Sequence, residues 1–202
     1  MSRPVIIGLT GGIAMGKTTV AQQFAWCGAA ICDSDKIVHK LLGVHGEAVD
    51  SIGKLFPKAR MDNFINRKML AQEVFGNPEK LMQLEAILHP LVRKYQDNFI
   101  RKATLLKRRI VVLDIPLLFE THGEKRCDYT VVASAPAFLQ RQRALLRFHM
   151  TKEKLAHILA RQMPDSEKRK RADFIVLTGN GKYASLKMVQ SIMKFCLRFK
   201  DF

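Results

Sequence analysis

GLTGGIAMGKTT, residues 8–19, decides how the rest of the chain is read. Its kernel is Gly11, four residues, then Gly16-Lys17-Thr18, a complete Walker A pattern. An apolar run, PVIIGL at 4–9, leads into it, and a helix-forming stretch from Lys17 to Trp26 leads out. Glycines let successive backbone N–H groups turn toward one anion with no Cβ in the way. A helix N-terminus adds about half a positive charge at that point. Lys17 is then placed to reach β- and γ-phosphates, and the Thr18 hydroxyl to coordinate Mg²⁺. The expectation is a cradle for ATP built from Gly11, Gly12, Ile13, Ala14, Met15, Gly16, Lys17, Thr18 and Thr19, with Mg²⁺ required.

Outward from the cradle, the remaining strands announce themselves as short apolar runs. They are AAIC at 29–32 ending on Asp33, IVVLD at 110–114, DYTVVA at 128–133 and DFIVL at 173–177. Their apolar residues are continuous rather than alternating, which marks a parallel sheet covered on both faces. The segment 35–108 reads as helical, broken at Asn77-Pro78 and at His89-Pro90, because proline disfavours helix in the residue before it. Residues 137–171 read as helical and basic. An amphipathic helix closes the chain, with Phe195, Phe199 and Phe202 as core residues. Strand and helix alternate, with one long helical insertion between the second and third strands. The expected class is α/β, a three-layer fold on a parallel five-stranded sheet.

Composition narrows the field. The 202 residues are 48% hydrophobic and 26% charged, too apolar for a disordered chain. Glycine at 12 and proline at 7 exclude a collagen-like or linker-rich chain. No apolar run approaches the roughly 20 residues of a membrane helix, and MSRPVIIGLTGG carries no signal-peptide pattern. Cysteines 27, 32, 127 and 196 form no C-x-x-C pair and no zinc spacing, so four reduced thiols and a cytoplasmic location are expected. Lys and Arg number 34 against 18 Asp and Glu, a formal charge of +16 that attracts polyanions: nucleic acid, an acidic membrane surface or a multiply phosphorylated substrate.

Walker A alone does not name the reaction. No N-K-x-D guanine signature occurs, which disfavours a GTPase, and the chain is small for a motor. A small-molecule kinase is the default. In open α/β sheets the ligands lie outside the carboxyl ends of the strands. Asp33 is at such an end and Asp35 follows. A carboxylate there can orient an acceptor hydroxyl and take its proton. On this reading Asp33 is at the chemistry and Asp35 either holds the acceptor or caps the next helix. The alternative is that Asp33-Ser34-Asp35 is only a capping cluster.

Asp114 ends IVVLD, a Walker B pattern. It belongs either to the Mg²⁺ shell or to a hydrogen bond with Thr18 or the backbone. Arg141, Arg143 and Arg147 lie on the predicted helix after the fourth strand. Arg143 and Arg147, four apart, share a face and are candidates to stabilise the γ-phosphoryl charge, against a plain solvated face. Asn180, in the turn after the last strand, is a candidate adenine contact. Glu120 reads as a loop-fixing residue without chemistry, and Lys168 to Arg171 as surface charge.

These stretches together resemble the dephospho-CoA kinases. GLTGGIAMGKTTV is similar to that family's GLTGGIGSGKSTV, and CDSDKIVHKLL to its D-A-D-x-I-A-R-x-L. INRKMLAQEVFGNPEKLMQLEAILHPLVR, DIPLLFE and KRKRADFIVLTGNG follow in the family's order. The resemblance implies transfer of the ATP γ-phosphate to the ribose 3′-hydroxyl of dephospho-CoA, the last step of CoA synthesis. It implies a five-stranded P-loop core, an acceptor-binding helical insert at about 35–108 and a short lid at about 141–165. Asp33 would be the catalytic carboxylate, and Arg67 and His89 stand in family-matching positions for the acceptor. His89 is weighed as a pocket or structural residue rather than a proton carrier.

The chain departs from the family pattern at several places. Ala14-Met15 replaces Gly-Ser in the cradle, and alanine asks for a more ordinary φ. Asn66 stands for the usual Asp, and Phe148-His149 for an acidic or amide pair in the lid. Two rivals remain. A nucleoside-monophosphate kinase needs arginines for its acceptor and no base. A nucleic-acid ATPase is suggested by the charge, but stacking platforms and groove-reading motifs are missing. The expected partners are ATP and dephospho-CoA, with no nucleic acid and no membrane, in a monomer or weak homo-oligomer.

Overall fold

The computed structural model describes residues 3–198. Five strands, β1 (Val5–Thr10), β2 (Ala30–Asp33), β3 (Ile110–Asp114), β4 (Tyr129–Ser134) and β5 (Phe174–Leu177), form one sheet in the order β2–β3–β1–β4–β5. β1 pairs parallel with β3, Ile7 facing Val112, and with β4, Leu9 facing Val131. β4 pairs parallel with β5. Every residue of β1 and β3 is buried, whereas the edge strands β2 and β5 are half-buried. The central strands need helices on both faces, which is why their sequences are unbroken apolar runs.

The helices are α1 (Lys17–Trp26), α2 (Ser34–Leu42), α3 (Val49–Leu55), α4 (Arg67–Val74), α5 (Pro78–Leu105), α6 (Ala137–Leu145), α7 (Lys152–Arg161), α8 (Asp165–Arg171) and α9 (Lys182–Arg198). The contacts divide the chain into two compact units. One holds the residues up to Cys32 and those from Lys102 onward, and the other is Asp33–Arg101. In the first, Ile7, Leu9, Val112 and Val131 of the sheet meet Val20 and Phe24 of α1 and Val189 and Ile192 of α9. Fully burying each such side chain contributes about 1.5–3 kcal/mol. Phe195 joins Tyr129 and Phe174 in an edge-to-face aromatic cluster and stays 38% exposed. Phe199 and Phe202 lie outside the described residues.

The second unit corrects one expectation. Asn77-Pro78 does break the chain, and Pro78 opens α5. His89-Pro90 does not: Pro90 sits inside α5. A proline there removes one helix hydrogen bond and strains the preceding turn, about 3 kcal/mol. Leu84, Ile87, Leu88, Leu91, Val92 and Tyr95 of the same helix pack on Leu41, Ile52, Phe56 and Leu70. Spacings of three and four put those six on one stripe, whose burial outweighs the local penalty.

The basic segment 137–171 is helical, as three helices. The chain leaves helix after Leu145, His149 takes a left-handed φ of 59°, and the Thr151 hydroxyl accepts from Lys154 N–H to start α7. Pro164 then precedes α8.

Candidate functional site

β1 delivers the chain into the glycine turn, and two glycines there are dictated by space. A Cβ on Gly11 would lie 2.6 Å from the Ala133 carbonyl oxygen. Gly16 has φ 86°, and a Cβ on it would lie 2.9 Å from Thr178 Oγ1. Gly16 is also the cap residue of α1, and it brings no side-chain hydrogen bond to the helix start. The first N–H groups of α1 thus keep their positive ends available to an anion.

Lys17, the first residue of α1, extends to Asp114 at the end of β3, with Nζ 2.5 Å from Oδ1. The side chains are 17% and 8% exposed, a nearly dry ion pair beside the cradle. Asp114 therefore meets Lys17, where the alternatives from sequence were Thr18, the backbone or a metal shell. Thr18 itself is exposed in the first turn of α1.

Ala14 carries a surprise. Its φ is 59°, the left-handed region that costs an L side chain about 1–2 kcal/mol. The alanine did not impose an ordinary φ; it adopted the conformation glycine would have. Its methyl is buried with Ala144 and Leu155, against Ile13, Met150 and Leu159. Met15 is 2% exposed, and its sulfur accepts from Ala135 N–H at 3.2 Å. The side chains of both residues are buried.

Thr178, just after β5, hooks the cradle by donating its hydroxyl to the Met15 carbonyl at 2.7 Å. Arg143 on α6 donates to Thr178 Oγ1 at 3.2 Å and to its carbonyl at 3.0 Å, so it reaches the cradle through one intermediary. Arg147 does not share its helical face, because α6 ends at Leu145; Arg147 is exposed in the following turn with Phe148 and His149. Asn180 is exposed in its turn.

Lys168 is not surface charge. It is fully buried, with Nζ 2.9 Å from Glu120 Oε1 and 3.2 Å from the Pro116 carbonyl. Glu120 also accepts from Met163 N–H at 2.8 Å, so the PLLFE loop is tied to the chain between α7 and α8. Lys168→Met would leave the Glu120 carboxylate without its cation in a dry setting. A loss of about 3 kcal/mol is expected in urea unfolding, with m unchanged.

In the second unit, Asp33 ends β2 and caps α2: Oδ1 accepts from Lys36 N–H at 3.0 Å, and Oδ2 lies 3.8 Å from Lys36 Nζ. The cap is thus Asp33, and Asp35 is an exposed residue of the first turn. Ser34 is buried and accepts from Gln96 Nε2 at 3.1 Å, which pins the strand-to-helix junction. Arg67 opens α4 and meets His39 Nδ1 at 2.7 Å; because guanidinium only donates, that ring nitrogen is the acceptor. Asn66, in place of the usual Asp, caps α4 by accepting from Lys68 and Met69 N–H at 3.1 and 3.2 Å. An amide oxygen serves there as well as a carboxylate. His89 is half-buried on α5, one residue before the internal proline.

All four cysteines stand outside any disulfide. Burial pushes Cys127 up to about 12 and Cys196 up to about 11, so both stay neutral and neither supplies a nucleophile. Among the described residues no helix is long and apolar enough to cross a membrane. Sequence reasoning passed over Gln140, Gln162 and Thr178, which touch the cradle directly. Gln162 N-terminal to Met163-Pro164 is a polar residue at a helix end, a signal too common to single out.

Comparison with known proteins agrees along the chain. The family model for dephospho-CoA kinase matches residues 5–184. The dephospho-CoA kinase of Rhodospirillum rubrum is 49% identical over 188 residues, 93% of this chain and 89% of that one. That of Agrobacterium fabrum is 47% identical over 190 residues, 94% and 97% of the two chains. Among solved structures, a Thermus thermophilus protein superposes with TM-score 0.84 at 32% identity, covering 95% of this chain and 97% of its own. The dephospho-CoA kinase from Campylobacter jejuni gives TM-score 0.68 at 27% identity, covering 94% and 95%. A glycine cradle with its lysine, an acid closing the second strand, and this agreement over nearly the full length lead to one conclusion: the chain belongs to the dephospho-CoA kinase family.

Proposed function

We propose that the chain transfers the γ-phosphoryl group of ATP to the ribose 3′-hydroxyl of dephospho-CoA, giving CoA and ADP. The observation that carries this reading is the family match over residues 5–184, which takes in the cradle, the helical second unit and the lid region together. The new bond joins the 3′-oxygen to the γ-phosphorus. The bond from that phosphorus to the β-bridging oxygen breaks, leaving ADP, and the hydroxyl proton goes to a carboxylate.

Asp33 suits that last task. Its cap bond to Lys36 N–H fixes the carboxyl orientation while the side chain remains 32% exposed. Lys17 would leave Asp114 for the phosphates and balance the charge spreading over the transferred group, with Arg143 as a second cation. The backbone from Gly11 to Thr19 would cradle the phosphates, and Asn180 would border the adenine. Asp35, Arg67 and His89 would serve the acceptor within the insert.

The hydroxyl of Thr18 and the carboxylate of Asp114 are hard oxygen donors of the kind Mg²⁺ takes. No cluster of three or more His, Cys, Asp or Glu side chains stands among the described residues, so these two would hold a cation shared with the nucleotide rather than a caged one. Held by Thr18 and Asp114, Mg²⁺ would supply positive charge beside the nucleotide phosphates.

The formal charge of +16 has a sufficient account in two multiply anionic substrates, without nucleic acid. The test offers ATP with dephospho-CoA, AMP or DNA separately. Turnover is expected with dephospho-CoA alone, its product heavier by one phosphoryl group. Phosphorylation of AMP in its place would overturn the reading.

A further inference from the structure

The peptide units on either side of Ile13 are each held by a side-chain amide. Ile13 N–H donates to Gln162 Oε1 at 3.0 Å, and the Ile13 carbonyl accepts from Gln140 Nε2 at 3.0 Å. Gln140 comes from α6 and is buried; Gln162 follows α7 directly. The two amides also close over Gly12, where an added Cβ would lie 3.1 Å from Gln140 Nε2 and 3.5 Å from Gln162 Oε1. The next residue, Ala14, is the one held at φ 59°.

We propose that Gln140 and Gln162 are positioning residues for the nucleotide phosphates, clamping Ile13 so that the strained Ala14 stays left-handed and the cradle N–H groups stay aimed at the anion. An alanine released from its neighbours leaves the left-handed region, and the direction of the following N–H changes with it. A glycine at the same place adopts that region freely and needs no clamp. Packing of the Ala14 methyl against Ala144 and Leu155 holds the same residue from its other side. Gln140 and Ala144 of α6, with Leu155 and Gln162 of the lid segment, thus act on a single turn of the cradle. Phosphate affinity is thereby linked to the placement of α7.

The inference rests on the cradle taking ATP, which is the reading above. It does not rest on which acceptor is used. Binding of MgATP is therefore measured calorimetrically, apart from turnover. Gln162→Met keeps the shape and removes the acceptor, and is expected to weaken MgATP about tenfold. Gln140→Met, which removes the donor at the carbonyl end, is expected to do the same, so the clamp is read even where one variant fails to fold. On an Ala14→Gly background, Gln162→Met is expected to weaken MgATP by less than about threefold, against about tenfold on the wild-type chain. That smaller loss separates positioning from mere anchoring of α7, which a glycine at 14 has no means to repair. Wild-type affinity in both methionine variants, or a loss from Gln162→Met that is as large on the Ala14→Gly background, overturns the inference. Wild-type protein that binds MgATP yet makes no CoA would instead overturn the function and leave the clamp standing.

Discussion

Lys17→Met is expected to lower kcat about 10³-fold and to destabilise the fold at the same time. The two losses have different origins. Phosphoryl transfer gives the protein little covalent work, so a cation on the transferred group supplies much of the rate; removing one preorganised stabiliser typically costs about 10²–10³ in kcat. The stability loss comes from Asp114, which is 8% exposed and loses its partner at 2.5 Å. Breaking a buried ion pair by removing one member destabilises by about 3 kcal/mol. A second change separates the effects. Lys17→Met with Asp114→Asn removes both charges of the pair, so unfolding in urea is expected near wild type, which assigns the stability loss of the single variant to the broken ion pair. The pair of measurements also guards against reading a misfolded protein as a catalytic defect. Single-variant turnover within tenfold of wild type, in protein shown to be folded, would remove Lys17 from the chemistry.

The fold was largely legible because its strands are two-sided. IVVLD is continuous, buried throughout and bounded at 110–114 in both sequence and structure. Lys17–Trp26 is likewise a helix over the bounds its flanking glycines predict. Legibility failed where tertiary packing overrode a local rule. Pro90 is a helix breaker by its own chemistry, yet the stripe from Leu84 to Tyr95, buried at Leu84 and half-buried beyond it, packs on its unit's core and the helix runs through. Lys168 failed for the same kind of reason. Inside KRKR it looks like solvated charge, and only the fold reveals that it alone of the run turns inward to Glu120.

The site divides along a similar line. The cradle was legible because its function depends on backbone, and glycine spacing encodes backbone. Its supports were not, since Gln140 and Gln162 reach Ile13 across 127 and 149 residues, and no local pattern marks such partners. Ala14 shows the limit from the other side. Residue type predicted an ordinary φ, and the surrounding contacts dictated a left-handed one. Asn66 is the reverse case, an apparent departure that changes nothing locally, because the cap needs only an oxygen.

Asp33→Asn separates the two roles this residue can hold. The side chain caps α2 through Oδ1, and asparagine caps about as well as aspartate. Unfolding in urea is therefore expected to change by no more than about 0.5 kcal/mol. The amide, however, has no basic oxygen with which to take a proton from the acceptor hydroxyl. General-base catalysis by a positioned carboxylate contributes about 10²–10⁴ in rate. The expectation is a loss of CoA formation of about 10³-fold in kcat, with KM for ATP nearly unchanged because the cradle is intact. Asp33→Ala sharpens the contrast, since it loses the cap and about 1 kcal/mol of stability as well. If capping were the only role, Asp33→Asn would turn over like wild type and Asp33→Ala would fail only through stability. If Asp33 is the base, both variants are equally slow at temperatures where both are folded.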